Sequence, residues 1–389
     1  MSRRRKGHGC GITVLVLLFI FILAGGGLGL LFARKYMPSS ELADKSRIFG
    51  IKGSQVALIL DNQVQEAKGI YEDGQVYLPV DWVNEYLNQR FYWDEGEKLL
   101  VYALPDSIVY ADESTQGEKG PLFKVTDSGM YLSLGVVVNY TDIRTQAFAT
   151  SQIKRVFIDT SWQPYDTAVL KKAGQVRVKG GVKSQIITEA AAGETVDVLE
   201  TLEKWSRVRT SDGYIGYVEN RKLEPGEQVA PVSTFEAPVY TSISMDGKVR
   251  LGFHQVTRQE GNSTLEDYAS DAKGMNVIVP TWFNVVSSDG TYTSLASKDY
   301  VDKAHDMGLK VWAMVENVST EESVKNLNTK TLMSSTSTRK KLIEKLMNEA
   351  DTYGFDGFNL DFESLKAEAG PHYVQFIREM SVACRNKGL

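Results

Sequence analysis

A strand–helix unit that repeats through residues 248–389 constrains the fold of this chain most strongly. Short apolar runs with strand character lie at 249–256, 275–283, 309–316 and 355–363. Helical stretches separate them, and Gly274, Gly308 and Gly354 each stand directly before the next run, where a helix commonly ends on a left-handed residue. Strands that alternate with helices predict a parallel sheet with right-handed crossovers.

The number of these units predicts only the first half of a barrel. A complete (β/α)₈ barrel takes about 250 residues, whereas residues 245–389 hold about four strand–helix units. Half a barrel exposes an unpaired edge strand, which folded proteins avoid. We therefore expect a truncated (β/α)₈ barrel within a longer protein, the alternative being a natural truncation.

The fourth run, FDGFNLDFE at 355–363, places acidic residues on one side of a strand. Its two faces alternate, with Phe358, Leu360 and Phe362 against Asn359, Asp361 and Glu363. In parallel barrels, catalytic groups lie at the C-terminal ends of the strands, where this run carries Asp361 and Glu363. Residues two apart on a strand have Cα atoms about 6–7 Å apart, so these two carboxyl groups are close enough to shift each other's pKa.

The segment DGFNLDFE at 356–363 resembles the D-x-x-D-x-D-x-E signature of the chitinase-like glycoside hydrolases of family 18, in particular the bacterial cell-wall and spore-cortex N-acetylglucosaminidases. Asp356, Asp361 and Glu363 match acidic positions, and Asn359 stands at the second one. The resemblance implies that Glu363 is the general acid and that Asp361 orients the N-acetyl group of the substrate, whose carbonyl oxygen attacks the anomeric carbon. It places Asp356 with the catalytic residues and Asn359 with the substrate-binding ones. Such substrate-assisted hydrolysis departs from the usual two-carboxylate mechanism.

Two neighbouring strand ends offer further substrate-binding candidates. Trp282 ends the second run and is placed to stack on a sugar face, although core packing is an equal alternative. Glu316 and Asn317 end the third run, where they are placed to hydrogen-bond sugar hydroxyls, although a solvated loop explains Glu316 equally well. The Ser-x-Gly-Gly turn of many family 18 members is missing at this position, which leaves a non-catalytic site open.

The N-terminus predicts a membrane anchor. Residues 12–33 carry no charge and follow the basic cluster at 3–6, and about 20 apolar residues span a bilayer. The basic cluster favours a cytoplasmic N-terminus, so residues 1–36 are expected to form a cytoplasmic tail and a transmembrane helix. A cleaved signal peptide is the alternative, but its apolar region is usually about 7–15 residues long.

Residues 40–165 are predicted to form an α+β module. A strand followed by a helix begins near Tyr77 and again near Tyr131, which suggests two related units. The module resembles the domain first named from the N-terminus of copper amine oxidases. No copper is expected here, because residues 40–165 contain neither histidine nor cysteine.

Residues 168–224 are predicted to form a small β-barrel of short strands. The segments GETVDVL at 193–199 and WSRVR at 205–209 resemble a bacterial SH3 domain. Such a domain implies a cell-wall or protein ligand, while a spacer without a ligand is the alternative. The proline-containing residues 225–244 are predicted to link this domain to the barrel.

The net charge and the few cysteines and histidines argue against two classes of partner, nucleic acids and metal ions. The net charge of −5 gives no basic field for nucleic acid, so nucleic acid is not an expected partner. The cysteines and histidines are few and scattered, so neither a metal site nor a cofactor is predicted. They are Cys10, Cys384, His8, His254, His305 and His372.

Together these patterns predict a multidomain, single-pass membrane protein whose bulk lies outside the cytoplasm, in or near the cell wall. The expected activity is a glycosidase that cleaves a glycan containing N-acetylglucosamine, either peptidoglycan or a chitin-like polymer. The competing hypothesis is a non-catalytic glycan-binding or scaffold protein of the wall.

Overall fold

The computed structural model describes residues 15, 18–22, 26, 32, 35–317 and 327–389. Most of the predicted anchor at 12–33 and all of the predicted cytoplasmic tail lie outside these described residues. No helix within the described ranges combines the length and the apolar character that a membrane crossing requires. The chain divides into two compact units, one containing the residues up to Glu72 with Asp142–Thr234, the other containing Asp73–Thr141 with Phe235–Leu389.

The described helices and strands are named here in chain order. The helices are α1 (Lys45–Phe49), α2 (Val80–Tyr86), α3 (Leu134–Tyr140), α4 (Leu265–Ala269), α5 (Lys298–Asp306), α6 (Thr329–Ser334), α7 (Thr336–Tyr353) and α8 (Gly370–Lys387). The strands before residue 142 are β1 (Gln55–Leu60), β2 (Gln63–Glu72), β3 (Gln75–Pro79), β4 (Tyr92–Asp94), β5 (Leu99–Ala103), β6 (Ile108–Ala111), β7 (Gln116–Gly117), β8 (Gly120–Pro121), β9 (Phe123–Thr126) and β10 (Gly129–Ser133).

The remaining strands lie between residues 144 and 361. Those before residue 226 are β11 (Arg144–Phe148), β12 (Arg155–Asp159), β13 (Thr167–Leu170), β14 (Gly174–Arg177), β15 (Ile186–Ala190), β16 (Thr195–Thr201), β17 (Trp205–Arg209), β18 (Ile215–Glu219) and β19 (Leu223–Pro225). Those after it are β20 (Leu251–His254), β21 (Val277–Pro280), β22 (Phe283–Val285), β23 (Tyr292–Ser294), β24 (Lys310–Glu316) and β25 (Gly357–Asp361).

The first unit contains the strands that the SH3-like pattern predicts. Strands β13 to β19 form one antiparallel sheet in the order β15-β14-β18-β17-β16-β13-β19. Strand β1 pairs in parallel with β12, which pairs antiparallel with β11. Buried apolar side chains of both sheets share a core that includes Ile59, Phe157, Val176 and Val208.

The first part of the second unit contains the two related strand–helix pairs predicted from the sequence. Strand β3 leads into α2, and β10 leads into α3. The two strands pair antiparallel with Leu78 opposite Leu132, so each apolar strand is fixed by the other. Strands β4, β5 and β6 form a separate antiparallel sheet.

The rest of the second unit contains the predicted parallel sheet. Strand β20 pairs with β21, β21 with β24, and β24 with β25, each in parallel. Gly274, Gly308 and Gly354 have φ of 84°, 76° and 76°, so all three are left-handed before their strands. Gly308 and Gly354 stand at the ends of α5 and α7 as predicted, whereas α4 already ends at Ala269, ahead of Gly274. The closed barrel itself stays a prediction.

The second predicted strand, 275–283, is split in two. Strand β21 ends at Pro280, and β22 begins at Phe283 and pairs in parallel with β24. Between them the Trp282 N–H donates to the Pro280 carbonyl at 3.0 Å. The tight turn inserts one residue, so the register with β24 changes from Ile278 opposite Val311 to Phe283 opposite Val315.

Candidate functional site

A row of polar residues crosses three neighbouring parallel strands. In the register of the sheet, Asn284 of β22 lies opposite Glu316 of β24, and Glu316 lies opposite Asp361 of β25. Paired residues of adjacent strands point to the same face of a sheet. The adjacent Val315 and Leu360 belong to the apolar core of the other face. Asn284, Glu316 and Asp361 therefore share one face, and we call them the polar row.

Glu363 lies just beyond the last strand of this row, and its backbone is held in place. Asn317 accepts a hydrogen bond from the Glu363 N–H at 2.7 Å and donates one to the Glu363 carbonyl at 3.0 Å. The next residue, Ser364, has φ of 54°, a left-handed value that is uncommon for residues other than glycine. The Glu363 side chain is exposed, so a fixed backbone presents its carboxyl group to solvent.

Two carboxylates of this region, Asp361 and Glu363, act on the carboxyl group of Glu316. Burial raises the pKa of Glu316, and the negative charges of Asp361 and Glu363 raise it further. A carboxyl group in such surroundings keeps its proton at a pH where an exposed one has lost it. Glu316 was predicted to bind sugar hydroxyls, and the structure places it directly beside Asp361.

This electrostatic arrangement predicts a gain in stability from Glu316→Gln. An unfolded glutamate ionises near pH 4.3, while the folded protein retains the Glu316 proton to higher pH, so the free energy of unfolding falls as pH rises through the folded pKa. The variant cannot ionise here, and we expect it to be more stable than the wild type at pH 7 and equally stable below about pH 4. Hydrogen exchange of β24 and β25 at both pH values measures the difference. The exposed Glu344→Gln serves as the control, and an equal loss of stability at both pH values would contradict the expectation.

The structure places Asp356 at the opposite end of β25 from Asp361. Its carboxylate accepts hydrogen bonds from Lys310 Nζ at 2.6 Å and the Val311 N–H at 2.9 Å, and contacts His305 Nε2 at 2.8 Å. Burial alone would raise the pKa of Asp356, but these hydrogen bonds hold it below its usual value. In this geometry Asp356 joins the beginnings of β24 and β25, and it is not brought together with the predicted catalytic residues.

Trp282 lies in the core, which corrects its predicted role in sugar stacking. Its side chain is 1% exposed and packs against Tyr300 and Phe355. The indole N–H donates to Asn262 Oδ1 at 2.8 Å. A ring surrounded in this way presents no face to a ligand, so the core-packing alternative holds.

The two asparagines that were predicted to bind substrate, Asn359 and Asn317, have different surroundings. Asn359 lies opposite Met314 in the register and on the face of the polar row. Asn317 was predicted to bind substrate, but its amide is committed to the Glu363 backbone and donates also to Thr329 Oγ1 at 3.1 Å. Its predicted contact with sugar hydroxyls therefore gives way to a positioning role.

Asn284 is the member of the polar row that sequence reasoning missed. Its neighbours Phe283 and Val285 are buried in the core, so the alternation of these three residues was the available signal. The side-chain Oδ1 atom of Asn284 is buried and has no hydrogen-bond partner in the described part of the chain. Buried polar atoms without partners are rare in native structures.

Comparisons with known proteins identify two segments of the chain. Residues 176–223 match the family model described as "Bacterial dipeptidyl-peptidase Sh3 domain", and residues 284–388 match that of glycosyl hydrolase family 85. The SH3-like and glycoside hydrolase assignments hold at this level. The matched hydrolase model is that of family 85, and membership of family 18 stays a prediction. Neither model covers residues 40–165, so the resemblance to the copper amine oxidase domain stays a prediction. No curated protein matches the chain.

Solved structures with similarity to this chain include two chitinases and a spore enzyme. The C-terminal domain of a putative chitinase from Desulfitobacterium hafniense is 16% identical, with a TM-score of 0.31 over 37% of this chain and 44% of that one. A chitinase from Chromobacterium violaceum is 20% identical, with a TM-score of 0.30 over 37% and 44%. The spore cortex-lytic enzyme SleL of Bacillus cereus is 16% identical, with a TM-score of 0.29 over 40% and 35%. The chain thus spans less than half the length of these proteins.

Proposed function

We propose that this protein is a glycoside hydrolase that cleaves a glycan containing N-acetylglucosamine, with peptidoglycan as the first candidate. The observation that carries the proposal is the position of Asp361 in the polar row, next to an exposed Glu363 whose backbone is fixed by Asn317. The match of residues 284–388 to a glycosyl hydrolase family supports the same reading. Both acidic residues lie at the C-terminal end of a parallel strand, where barrel enzymes carry their catalytic groups.

The proposed mechanism is substrate-assisted and retains the configuration of the sugar. Glu363 donates its proton to the glycosidic oxygen as the bond to the anomeric carbon breaks, and the acetamido carbonyl oxygen of the same sugar forms a bond to that carbon. Asp361 holds the acetamido N–H and balances its developing positive charge. Water then attacks the anomeric carbon, Glu363 takes up the water proton, and the acetamido oxygen leaves.

In this mechanism Glu316 supplies the neighbouring acid that the segment lacks at Asn359. An amide at 359 neither shares a proton with Asp361 nor adds charge behind it, whereas Glu316 lies directly opposite Asp361 in the register. A protonated Glu316 has an O–H to donate to the Asp361 carboxylate. We propose that it keeps Asp361 ionised and correctly turned while Glu363 exchanges its proton.

The deciding experiment compares two chitooligosaccharides that differ only in the N-acetyl group. The full chain in detergent is expected to cleave the acetylated oligosaccharide, and substitution of a free amine in the sugar before the cleaved bond should stop turnover, because the nucleophile is then missing. Product anomers measured by NMR should retain the β configuration. Cleavage of the deacetylated substrate at an undiminished rate would exclude this mechanism.

The second candidate function is glycan binding without hydrolysis. Asn359 favours it, because this position is acidic in the family 18 signature. Binding of the acetylated oligosaccharide to the full chain without any product would support this function and reject the enzyme.

We further propose that the N-terminal apolar run anchors the protein with its bulk outside the cytoplasm. The proposal comes from the basic cluster at 3–6 ahead of the charge-free run at 12–33. Protease added to intact, wall-stripped cells is expected to digest everything beyond about residue 40 and to leave the N-terminal tail, as read by antibodies to each end. Protection of residues 50–389 would mean the opposite orientation.

A further inference from the structure

The first unit contains a cavity of about 500 Å³ lined by charged and polar side chains. Its lining includes Arg144, Gln146 and Asp159 from strands β11 and β12, and Asp197 and Arg209 from strands β16 and β17. Small-molecule sites commonly measure about 300–1,000 Å³. The cavity is therefore large enough for a ligand of a few residues, and the SH3-like sheet forms one of its sides.

Both arginines of this cavity are turned towards the same carboxylate. Arg209 Nη1 lies 3.0 and 3.2 Å from the two oxygens of Asp159, and its Nη2 donates to Gln146 Oε1 at 2.8 Å. Arg144 Nη2 lies 4.0 Å from Asp159 and donates to the Ser161 carbonyl at 3.1 Å. Arg209 is thus paired within the protein, whereas Arg144 lies only at ion-pair distance from Asp159 and its buried Nε atom has no hydrogen-bond partner among the described residues.

Asp197 is the carboxylate of the cavity that takes no part in these hydrogen bonds. It lies directly opposite Arg209 in the register of β16 and β17, yet the Arg209 guanidinium is directed to Asp159. Within the described ranges, no residue donates a hydrogen bond to the Asp197 side chain, which is half-buried. Burial raises the pKa of Asp197, although Arg209 acts in the opposite direction.

We propose that this cavity binds the primary ammonium group of a short peptide, with Asp197 as its counter-ion. A half-buried carboxylate without a partner carries a desolvation cost, and an ammonium group offsets that cost with three N–H donors. A neutral sugar brings no charge to do so. A metal ion is a poorer fit, because no group of ligating side chains that could hold one occurs among the described residues. The inference is independent of the proposed hydrolase activity, since it concerns residues of the first unit alone.

The test uses two peptides that differ in one charge. The probe is acetyl-Ala-Lys-Ala-amide, whose only charge is the lysine ammonium, and the comparison peptide is the same sequence acetylated at the lysine Nζ. A hydrogen bond to a charged group contributes about 1.5–3 kcal/mol, so we expect the acetylated peptide to bind the full chain about 10–100-fold more weakly. Calorimetry measures the affinity, and amide chemical shifts of β16 and β17 locate the site.

Variants on a single strand separate the site from general charge effects. Asp197→Asn should weaken binding of the lysine peptide to the level of the acetylated one, and Asp197→Glu should restore part of it. Glu200→Gln removes an exposed carboxylate from the same strand and should leave the affinity unchanged. Equal binding of both peptides, no binding of the lysine peptide, or the same loss in Asp197→Asn and Glu200→Gln would each overturn the proposal.

Discussion

Glu363→Gln is expected to lower the turnover of an N-acetylglucosamine oligosaccharide by about 10²–10⁴-fold, the usual contribution of a general acid. The amide keeps the size of the side chain but cannot give a proton to the glycosidic oxygen. Asn317 holds the backbone of residue 363 through its N–H and carbonyl groups, and the substitution leaves those contacts in place. Binding of the oligosaccharide should therefore remain nearly unchanged, so the effect should appear in kcat and not in the dissociation constant.

Two matched variants make this result specific. Glu344→Gln removes an exposed carboxylate from α7 and should leave kcat as it is. Asp361→Asn should be severe as well, because the acetamido group then loses the charge that orients it. Unchanged turnover in Glu363→Gln would remove the general-acid assignment from this residue.

The local periodicity of the sequence predicted the elements that carry the site. The alternation around Asp361 places apolar side chains in the core and polar ones on the opposite face. Val315 and Leu360, which lie opposite each other in the register, both pack in the core. Gly308 and Gly354 were equally readable, since a left-handed helix end needs little beyond its own residue. These features depend on a few neighbouring residues, so sequence alone is sufficient.

The register between strands was not readable from the sequence. Glu316 lies opposite Asp361 because β24 and β25 are adjacent and in one particular alignment, and periodicity within one strand carries no information about that alignment. Asn284 joins the polar row because the one-residue register shift after Pro280 aligns it with Glu316 of β24. Asp356 matched a signature position, yet Lys310 and Val311 hold it at the far end of the strand.

The contacts between distant parts of the second unit were also outside the reach of sequence patterns. Asp94 accepts hydrogen bonds from the N–H and the hydroxyl of Thr336, both at 2.6 Å, and Glu97 accepts one from the Ser337 N–H at 2.9 Å. Carboxylates at the first turn of α7 pair with its free N–H groups and with the positive end of its dipole. The residues that stabilise this helix end are more than 230 positions away in the chain.

The largest expected effect on stability comes from the ion pair between Arg339 of α7 and Glu379 of α8. Both side chains are 0% exposed, and the guanidinium contacts the two carboxylate oxygens at 2.9 and 3.0 Å. Its remaining donors reach the Met333 carbonyl at 2.7 Å and the Thr336 hydroxyl at 2.9 Å. Because both side chains are fully buried, removal of one partner leaves the charge of the other without either a counter-ion or solvation.

Glu379→Gln should therefore lower the free energy of unfolding of the second unit by about 3–5 kcal/mol, the cost of leaving one buried charge unpaired. Lys387 and Asp351 form a second ion pair between α7 and α8, but the Asp351 side chain is 60% exposed, so Asp351→Asn should cost no more than about 1 kcal/mol. The double variant Arg339→Met with Glu379→Met removes both buried charges and should recover most of the loss. Hydrogen exchange of α7 and α8, followed by mass spectrometry at increasing denaturant, measures all three. Equal losses in Glu379→Gln and Asp351→Asn would mean that burial gives the Arg339–Glu379 pair no special weight.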